Sequence, residues 1–203
     1  NTVKMHIDYL MLKDNIDEVL RLIDLAKETG VGTIILLNII HIVNQQQDNQ
    51  KVFTYDNEEP YKALMKETGL KAQRLKINLH MPALSPQEVD LCSENPLRNL
   101  YISVDGDVSP CVFLNPPVAS PFKRIFHGEE HYMEKVIFGN IFKEPFETIW
   151  NKPEYIQFRE RFAQRKKITE EIYKALFDLK KPETTDLPEP PDSCKTCHKI
   201  LGF

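Results

Sequence analysis

The first thirty residues show two different hydrophobic periods. Apolar side chains recur at every second position over 3–11, which predicts a strand with one apolar face. Over 16–29 they recur at helical spacing until Gly30, which predicts a helix of about four turns. Asn15 precedes this helix and Glu18 follows three residues later, so the pair predicts a capping box at its start.

The next fifty residues continue the alternation of strand and helix. The run 33–40 is almost continuously apolar, which is typical of a parallel strand covered on both faces. The polar segment 44–57 predicts a long loop, 58–68 predicts a helix ended by Gly69, and 72–80 predicts a strand. The first 80 residues therefore predict a β-α-β-α-β order and an α/β fold.

After residue 84 the pattern changes to short elements joined by turns. Alternating apolar positions on both sides of Asp105-Gly106 predict a hairpin over 99–111. Later segments predict loops over 115–121 and 127–131, helices over 146–150 and 153–179, and an extended strap over 181–192. The strap holds four prolines in twelve residues, so it cannot be helical.

Composition narrows the range of functions. The net charge is -4 with both signs mixed, and the only basic runs, 165–167 and 180–181, are typical of solvated helix faces, so no nucleic-acid partner is predicted. No apolar run approaches the roughly 18 residues of a membrane span, so no membrane partner is predicted either. Clustered cysteines without a signal peptide favour a cytoplasmic protein with reduced thiols. The chain starts at Asn1 rather than Met, so we expect it to be a piece of something longer.

The four cysteines form two local pairs. In Cys92-x13-Gly106-x4-Cys111, one cysteine precedes the predicted hairpin and the other lies on its return. Cys194-x2-Cys197 bends back so that both sulfurs face one point, the usual half-site for zinc or an iron-sulfur cluster. We predict that all four thiols converge on one metal centre. Both metals accept four thiolates, so the ligands leave the choice open, whereas two disulfides would need an oxidising compartment.

These motifs resemble the C-terminal region of radical S-adenosylmethionine enzymes of the SPASM/twitch group. The resemblance is carried by the cysteine spacing, by Phe138-Gly139-Asn140-Ile141 and by the helix start Phe146-Glu-Thr-Ile-Trp150. Segments 9–15 and 25–31, with the strand up to Ile40, are similar to late βα units of the barrel in that family. The likeness covers nearly the whole chain.

The resemblance implies two domains and one cofactor. Residues 1–84 would be late βα units of a partial (β/α) barrel, and 85–203 would be a small α+β domain of SPASM/twitch type. The four cysteines would hold one auxiliary 4Fe-4S cluster for electron relay or structural support, in an oxidoreductase acting on a peptide, cofactor precursor or small metabolite. Flavodoxin or ferredoxin would be a suitable electron donor. The alternative is a zinc-binding structural or interaction module without catalysis.

The chain also departs from the family pattern. The full SPASM pattern has seven cysteines and two auxiliary clusters, whereas four cysteines hold at most one cluster, as in the twitch version. The Cys-x3-Cys-x2-Cys motif that binds the catalytic cluster and S-adenosylmethionine is absent. We therefore expect the upstream part of the same polypeptide to supply these groups, and we expect this chain alone not to begin the radical reaction.

Four polar residues fall at the C-terminal ends of the first two predicted strands, the edge where barrel active sites assemble. Lys13, Asn15 and Asn38 are candidates for cofactor binding, and His41 is a candidate for substrate binding. Asn15 is also explained completely as the cap of the first helix, which is the interpretation we favour.

Three further histidine and aspartate positions are candidates. His6 and Asp8 alternate with the apolar face of the first strand and would point into a barrel lumen, towards substrate, or else lie on an exposed face. His198 follows Cys197 and could replace a cysteine as ligand, although four thiols make a supporting or solvent-exposed position the simpler interpretation.

Overall fold

The structure is a computed structural model that describes residues 4–56, 60–182 and 184–203. The chain divides into two compact units: the first ends at Gln87 and also includes Phe203, and the second spans Glu88–Gly202. Both contain helices and small sheets, so the mixed α/β class predicted from the sequence is confirmed. Within the described ranges, no helix combines the length and apolar character needed to cross a membrane.

The first unit is built on a three-stranded parallel sheet with the order β1-β2-β3. Its elements are β1 (His6–Met11), α1 (Val19–Thr29), β2 (Thr33–Asn38), α2 (Gln45–Gln50), α3 (Lys62–Leu75) and β3 (Asn78–His80). The predicted order of strands and helices is therefore confirmed, with α2 in addition. Among the described strands β1 pairs only with β2, so its other side is an edge of the sheet.

Within the described part of the first unit, the helices cover one face of this sheet. Ile7, Tyr9 and Met11 of β1 pack on this face with the buried apolar residues of α1 and α3. The opposite face carries exposed polar and apolar side chains, among them Leu10 and Leu37, which are 44% and 39% exposed. The prediction that β2 is covered on both faces is therefore wrong for the described part of the chain, because an apolar run alone does not reveal which face a helix covers.

Two boundaries of the first unit differ from the sequence prediction. The segment predicted as a loop over 44–57 contains α2, because the Asn44 side chain accepts a hydrogen bond from the Gln47 amide at 2.9 Å and caps the helix. The helix predicted to end at Gly69 continues to Leu75, so the strand predicted over 72–80 is only β3. A helical glycine costs about 1 kcal/mol, which the burial of neighbouring side chains on α3 offsets.

The predicted capping box at Asn15 is also wrong. The Asn15 side chain caps no helix; it accepts from the Leu12 amide at 2.8 Å and donates to the Leu10 carbonyl at 3.0 Å, which closes the turn after β1. A short 3-10 turn then leads into α1. β1 begins at His6 and β2 ends at Asn38, so both strands are shorter than predicted; residue 3 lies outside the described residues.

Among its described residues, the second unit contains two small antiparallel sheets, two α-helices and three short 3-10 helices. Its elements are β4 (Tyr101–Ile102), β5 (Asp107–Ser109), β6 (Phe122–Phe126), β7 (Glu129–Met133), β8 (Gly139–Asn140), α4 (Phe146–Trp150) and α5 (Pro153–Phe177). The hairpin predicted over 99–111 is confirmed as β4 and β5, and Gly106 at its tip has a φ of 84°. β8 pairs with the free side of β5 and completes a three-stranded sheet.

A second hairpin includes the segment 127–131, which was predicted as a loop. β6 and β7 pair from Phe122 opposite Met133 to Phe126 opposite Glu129. His127 and Gly128 form the two-residue turn with positive φ angles of 52° and 78°, which matches the twist of the strands on either side. The loop prediction over 127–131 is wrong because His-Gly is a less familiar hairpin turn than Asn-Gly or Asp-Gly.

The long helix and the proline strap occupy the predicted positions. In its first half, α5 buries Tyr155, Phe158 and Phe162 in the core of the second unit, and Tyr155 stacks on Phe138 with ring centroids 4.2 Å apart. The residues described within 181–191 form neither helix nor strand, as predicted for this proline-rich segment. The strap leads into the segment that carries the last two cysteines.

Candidate metal centre

The four cysteines line a single cavity inside the second unit. All four are free thiols; Cys194 and Cys197 are buried, and Cys92 and Cys111 are partly buried. The remaining walls are mostly apolar, with Phe113, Leu114, Phe162 and Ile200 joined by Glu94 and Lys199. The sequence predicted this convergence from two half-sites that lie far apart in the chain.

Each cysteine begins a tight turn of the backbone. Its carbonyl oxygen accepts a hydrogen bond from the amide three residues later, at distances between 2.9 and 3.3 Å. The four pairs are Cys92 with Asn95, Cys111 with Leu114, Cys194 with Cys197, and Cys197 with Ile200. The same local geometry therefore presents each thiol at the start of a turn, from three separate segments of the chain.

Burial dominates the ionisation of these thiols. It raises the pKa of Cys92 to about 11 and that of Cys111 to about 12, and it also raises the pKa values of Cys194 and Cys197. Charge on Cys197 adds to the rise at Cys92 and Cys111, because two nearby thiolates repel each other. Amide groups two and three positions after Cys92 and Cys111 hydrogen-bond to these cysteines and partly oppose the rise in pKa. Binding a metal as thiolates would therefore release protons.

The donor set of four thiolates fits an iron-sulfur cluster and also matches the ligand number of a structural zinc site. A structural zinc needs each of its sulfur ligands about 2.3 Å from one metal. A 4Fe-4S cluster takes each thiolate at a different iron, so its ligands stand further apart around a shared cavity.

Charged side chains near the cavity were missed by the sequence analysis. Glu94 and Lys199 line it, and Arg124 of β6 reaches the loops that carry Cys111 and Cys194. Arg124 is buried on a strand between Phe122 and Phe126, so a cation at an apolar position of an alternating pattern was the signal that could have identified it. No element was predicted for 122–126, which lies between the predicted loops 115–121 and 127–131, so that alternation was not used.

The candidates for cofactor binding lie in the first unit. Asn38 is buried at the end of β2, where its amide donates to the Ala83 carbonyl at 2.9 Å and its Oδ1 has no hydrogen-bond partner. Lys13 follows β1 and is exposed, while its backbone amide donates to the Gln50 carbonyl at 2.9 Å. The side chain of Asn15 forms its hydrogen bonds within the turn after β1. All three positions follow or end strands on the C-terminal side of the sheet.

The candidates for substrate binding are separated along the sheet. His6 and Asp8 lie on its open face with 3.6 Å between Nε2 and Oδ2, and each side chain is more than half exposed. His6 is the first residue of β1, whereas His41 follows the end of β2, so these two lie at opposite ends of parallel strands. His198 is fully buried, with its ring centroid 5.3 Å from that of Phe126, so it is not the solvent-exposed residue considered above.

Comparison with known proteins agrees with this site. A family model described as an iron-sulfur cluster-binding domain, SPASM, matches residues 92–198, which is more than half of the 203 residues. The matched segment begins at Cys92 and contains all four cysteines. A search of curated proteins finds no match to the chain. On the strength of its cysteine cavity and of this match, the chain belongs to the SPASM family of iron-sulfur cluster-binding domains.

Proposed function

We propose that this chain is the C-terminal region of a radical S-adenosylmethionine oxidoreductase and that it holds one auxiliary 4Fe-4S cluster. Cys92, Cys111, Cys194 and Cys197 would be its ligands. The observation that carries the proposal is the single apolar cavity lined by all four free thiols. The cluster, when bound, would supply one-electron transfer.

Full ligation by protein determines which role suits this site. Four thiolates leave no iron open to substrate, so the centre suits electron relay or structural support rather than Lewis-acid chemistry. The apolar walls around the thiols limit access of water, and the amides directed at Cys92 and Cys111 stabilise negative charge on sulfur. A zinc-binding interaction module is the competing function.

Iron analysis of cysteine variants tests the ligand set. After anaerobic reconstitution with iron and sulfide, the protein should contain about four irons and four sulfides and absorb in the visible blue region. Replacing any of the four cysteines by Ala should remove most of this iron, because no other thiol can take its place. Ser93→Ala is the matched control, since Ser93 is exposed beside Cys92 and should leave the iron content unchanged. Stoichiometric zinc with no cluster would overturn the electron-relay role.

The first unit would then be the late part of a radical S-adenosylmethionine barrel. Three features support this: the sheet is parallel, the described helices cover one of its faces, and polar residues such as Lys13 and Asn38 lie at the C-terminal ends of its strands. The edge of β1 is where an upstream strand would pair, and the open face with His6 and Asp8 would face the lumen. The upstream part would carry the catalytic cluster and S-adenosylmethionine, with substrate and a flavodoxin or ferredoxin donor as further partners.

Cleavage of S-adenosylmethionine tests whether the catalytic cluster belongs to the upstream part and not to this chain. The four cysteines of the chain are assigned to the auxiliary site, so the 203-residue chain with dithionite should form no 5′-deoxyadenosine. The same chain extended upstream to include a Cys-x3-Cys-x2-Cys motif should form it. Product above a protein-free control from the 203-residue chain, measured by liquid chromatography and mass spectrometry, would contradict the proposal.

A further inference from the structure

Arg124 carries a buried positive charge close to the cysteine site. Its side chain is 1% exposed, and within the described residues no aspartate or glutamate lies at ion-pair distance from its guanidinium. The other fully buried arginine, Arg165, has the Glu88 carboxylate at 3.1 Å. An unpaired buried charge is costly, so a protein that keeps one usually places an anion beside it.

The contacts of Arg124 join both halves of the cysteine site. Its Nη2 donates to the carbonyl of Phe113, two residues after Cys111, at 2.8 Å. Its Nη1 lies 3.4 Å from the carbonyl of Ser193 and 3.5 Å from the hydroxyl of Thr196, the residues that directly precede the last two cysteines. One guanidinium therefore contacts two segments that are about 80 residues apart and that carry three of the four thiols.

We propose that Arg124 is the counter-charge of the cluster and raises its reduction potential. The proposal rests on the proposed function, because the anion in question is the cluster with its four thiolates. Reduction adds one electron, taken from the external donor, and makes this unit one charge more negative. A fixed cation in the same apolar surroundings stabilises the reduced form more than the oxidised form.

Two other observations agree with this role. Lys199 lines the same cavity but is only partly buried, so water screens its charge more strongly. Glu94, the carboxylate of the cavity wall, forms no ion pair with Arg124. The positive charge of Arg124 is therefore available to the cluster.

Reduction potentials of three variants test the proposal. Arg124→Gln keeps hydrogen-bonding ability without the charge, Arg124→Lys keeps the charge, and Lys123→Gln removes a charge from the neighbouring, partly exposed position on β6. Each reconstituted protein is first assayed for iron and sulfide and then titrated with Ti(III) citrate under electron paramagnetic resonance. Arg124→Gln should shift the oxidised-to-reduced equilibrium at least tenfold towards the oxidised form, which is about 59 mV to more negative potential. Arg124→Lys and Lys123→Gln should stay close to the parent protein.

Each outcome decides a separate question. Absence of a cluster in the parent protein would remove the proposed function, and the inference with it. A loaded parent whose Arg124→Gln variant is loaded and unshifted would overturn the counter-charge alone. If Arg124→Gln loses its cluster while Arg124→Lys retains one at the parental potential, the requirement for charge is upheld. Loss of the cluster in both Arg124 variants would show a purely structural role and overturn the proposal.

Discussion

Asn140 and the glycine before it fix the tip of the first hairpin in the second unit. The amide of Asn140 donates to the carbonyl of Asp105 at 2.7 Å and to the carboxylate of Asp107 at 2.8 Å. A Cβ on Gly139 would lie 2.5 Å from a glutamate oxygen, so no larger residue fits there without movement. These two residues of the sequence motif thus hold the hairpin whose second strand leads to Cys111.

Gly106 allows the strongest single-residue prediction in this hairpin. It needs both a positive φ and open space, since a Cβ would lie 2.6 Å from the ring of Phe142 and 2.9 Å from Asn140 Oδ1. Gly128 also has a positive φ, but nothing lies within 4 Å of its would-be Cβ. Gly128→Ala should therefore cost only the backbone strain of about 1 kcal/mol, and Gly106→Ala about 1 kcal/mol more. Urea unfolding of both variants measures the difference, and equal losses would contradict it.

Sequence reasoning succeeded for residues whose chemistry depends on type and spacing. The spacing of Cys194 and Cys197 alone indicates a half-site for a metal. Gly106 indicates a turn, because only glycine adopts the backbone angles of that position freely. Sequence reasoning failed for Asn15, because its side chain could hydrogen-bond either to the start of the first helix or within the turn after β1. Only the path of the chain after β1 shows that it does the second. Arg124 was missed because no strand was predicted for 122–126, so its place on the buried face of a strand was not recognised.

At the scale of elements, α5 does two tasks along its length. Its first half packs Tyr155, Phe158 and Phe162 into the core, and Arg165 ends the buried stretch. The Arg165 guanidinium donates to the carbonyls of Val89, at 2.7 Å, Asp90 and Pro188. A single helical residue therefore ties the segment before Cys92 to the proline strap that leads to Cys194, while the rest of the helix is solvated.

Replacing Arg165 should loosen both tied segments. Arg165→Met removes the donors and leaves three backbone carbonyls without them, so the free energy of unfolding should fall by about 3 kcal/mol. Lys166→Met is the matched control, because Lys166 is exposed and its ion pair with Glu170, at 3.5 Å, is an i,i+4 pair on the helix surface. That control should lose less than about 0.5 kcal/mol. Similar losses for the two variants in urea unfolding would refute the tying role.

Elements were predictable where periodicity was long and ends were marked by residue type. The strand and helix of the first βα unit and the whole of α5 follow from such patterns. The sequence analysis missed short elements for physical reasons. The helix α2 depends on one capping side chain, and the hairpin of β6 and β7 depends on an unusual His-Gly turn. The predicted end of α3 was wrong because Lys76, rather than a glycine, adopts the left-handed conformation at the C-cap, with a φ of 59°.

At the scale of the whole molecule, the four cysteines belong to only one of the two compact units. All lie within Glu88–Gly202, on three segments of the chain. One segment precedes β4, one follows β5 and one follows the strap. A cluster that bridges distant segments contributes its binding energy to the folding of the unit that holds it. The parallel sheet of the first unit has its own apolar core and includes no cysteine.

Removing the cluster should therefore destabilise the second unit and spare the first. After ferricyanide oxidation and chelation of iron, hydrogen exchange measured by mass spectrometry should speed up in peptides from residues 88–202, most strongly around Cys111 and in the 184–197 segment. Peptides that contain α1 and β2 should keep their protection, because their buried residues pack within the first unit. The Cys194→Ala variant, purified without metal, should reproduce the pattern with no chemical treatment. Equal acceleration in both units would mean that the cluster stabilises the chain as one cooperative body, and the assignment of its energy to a single unit would be wrong.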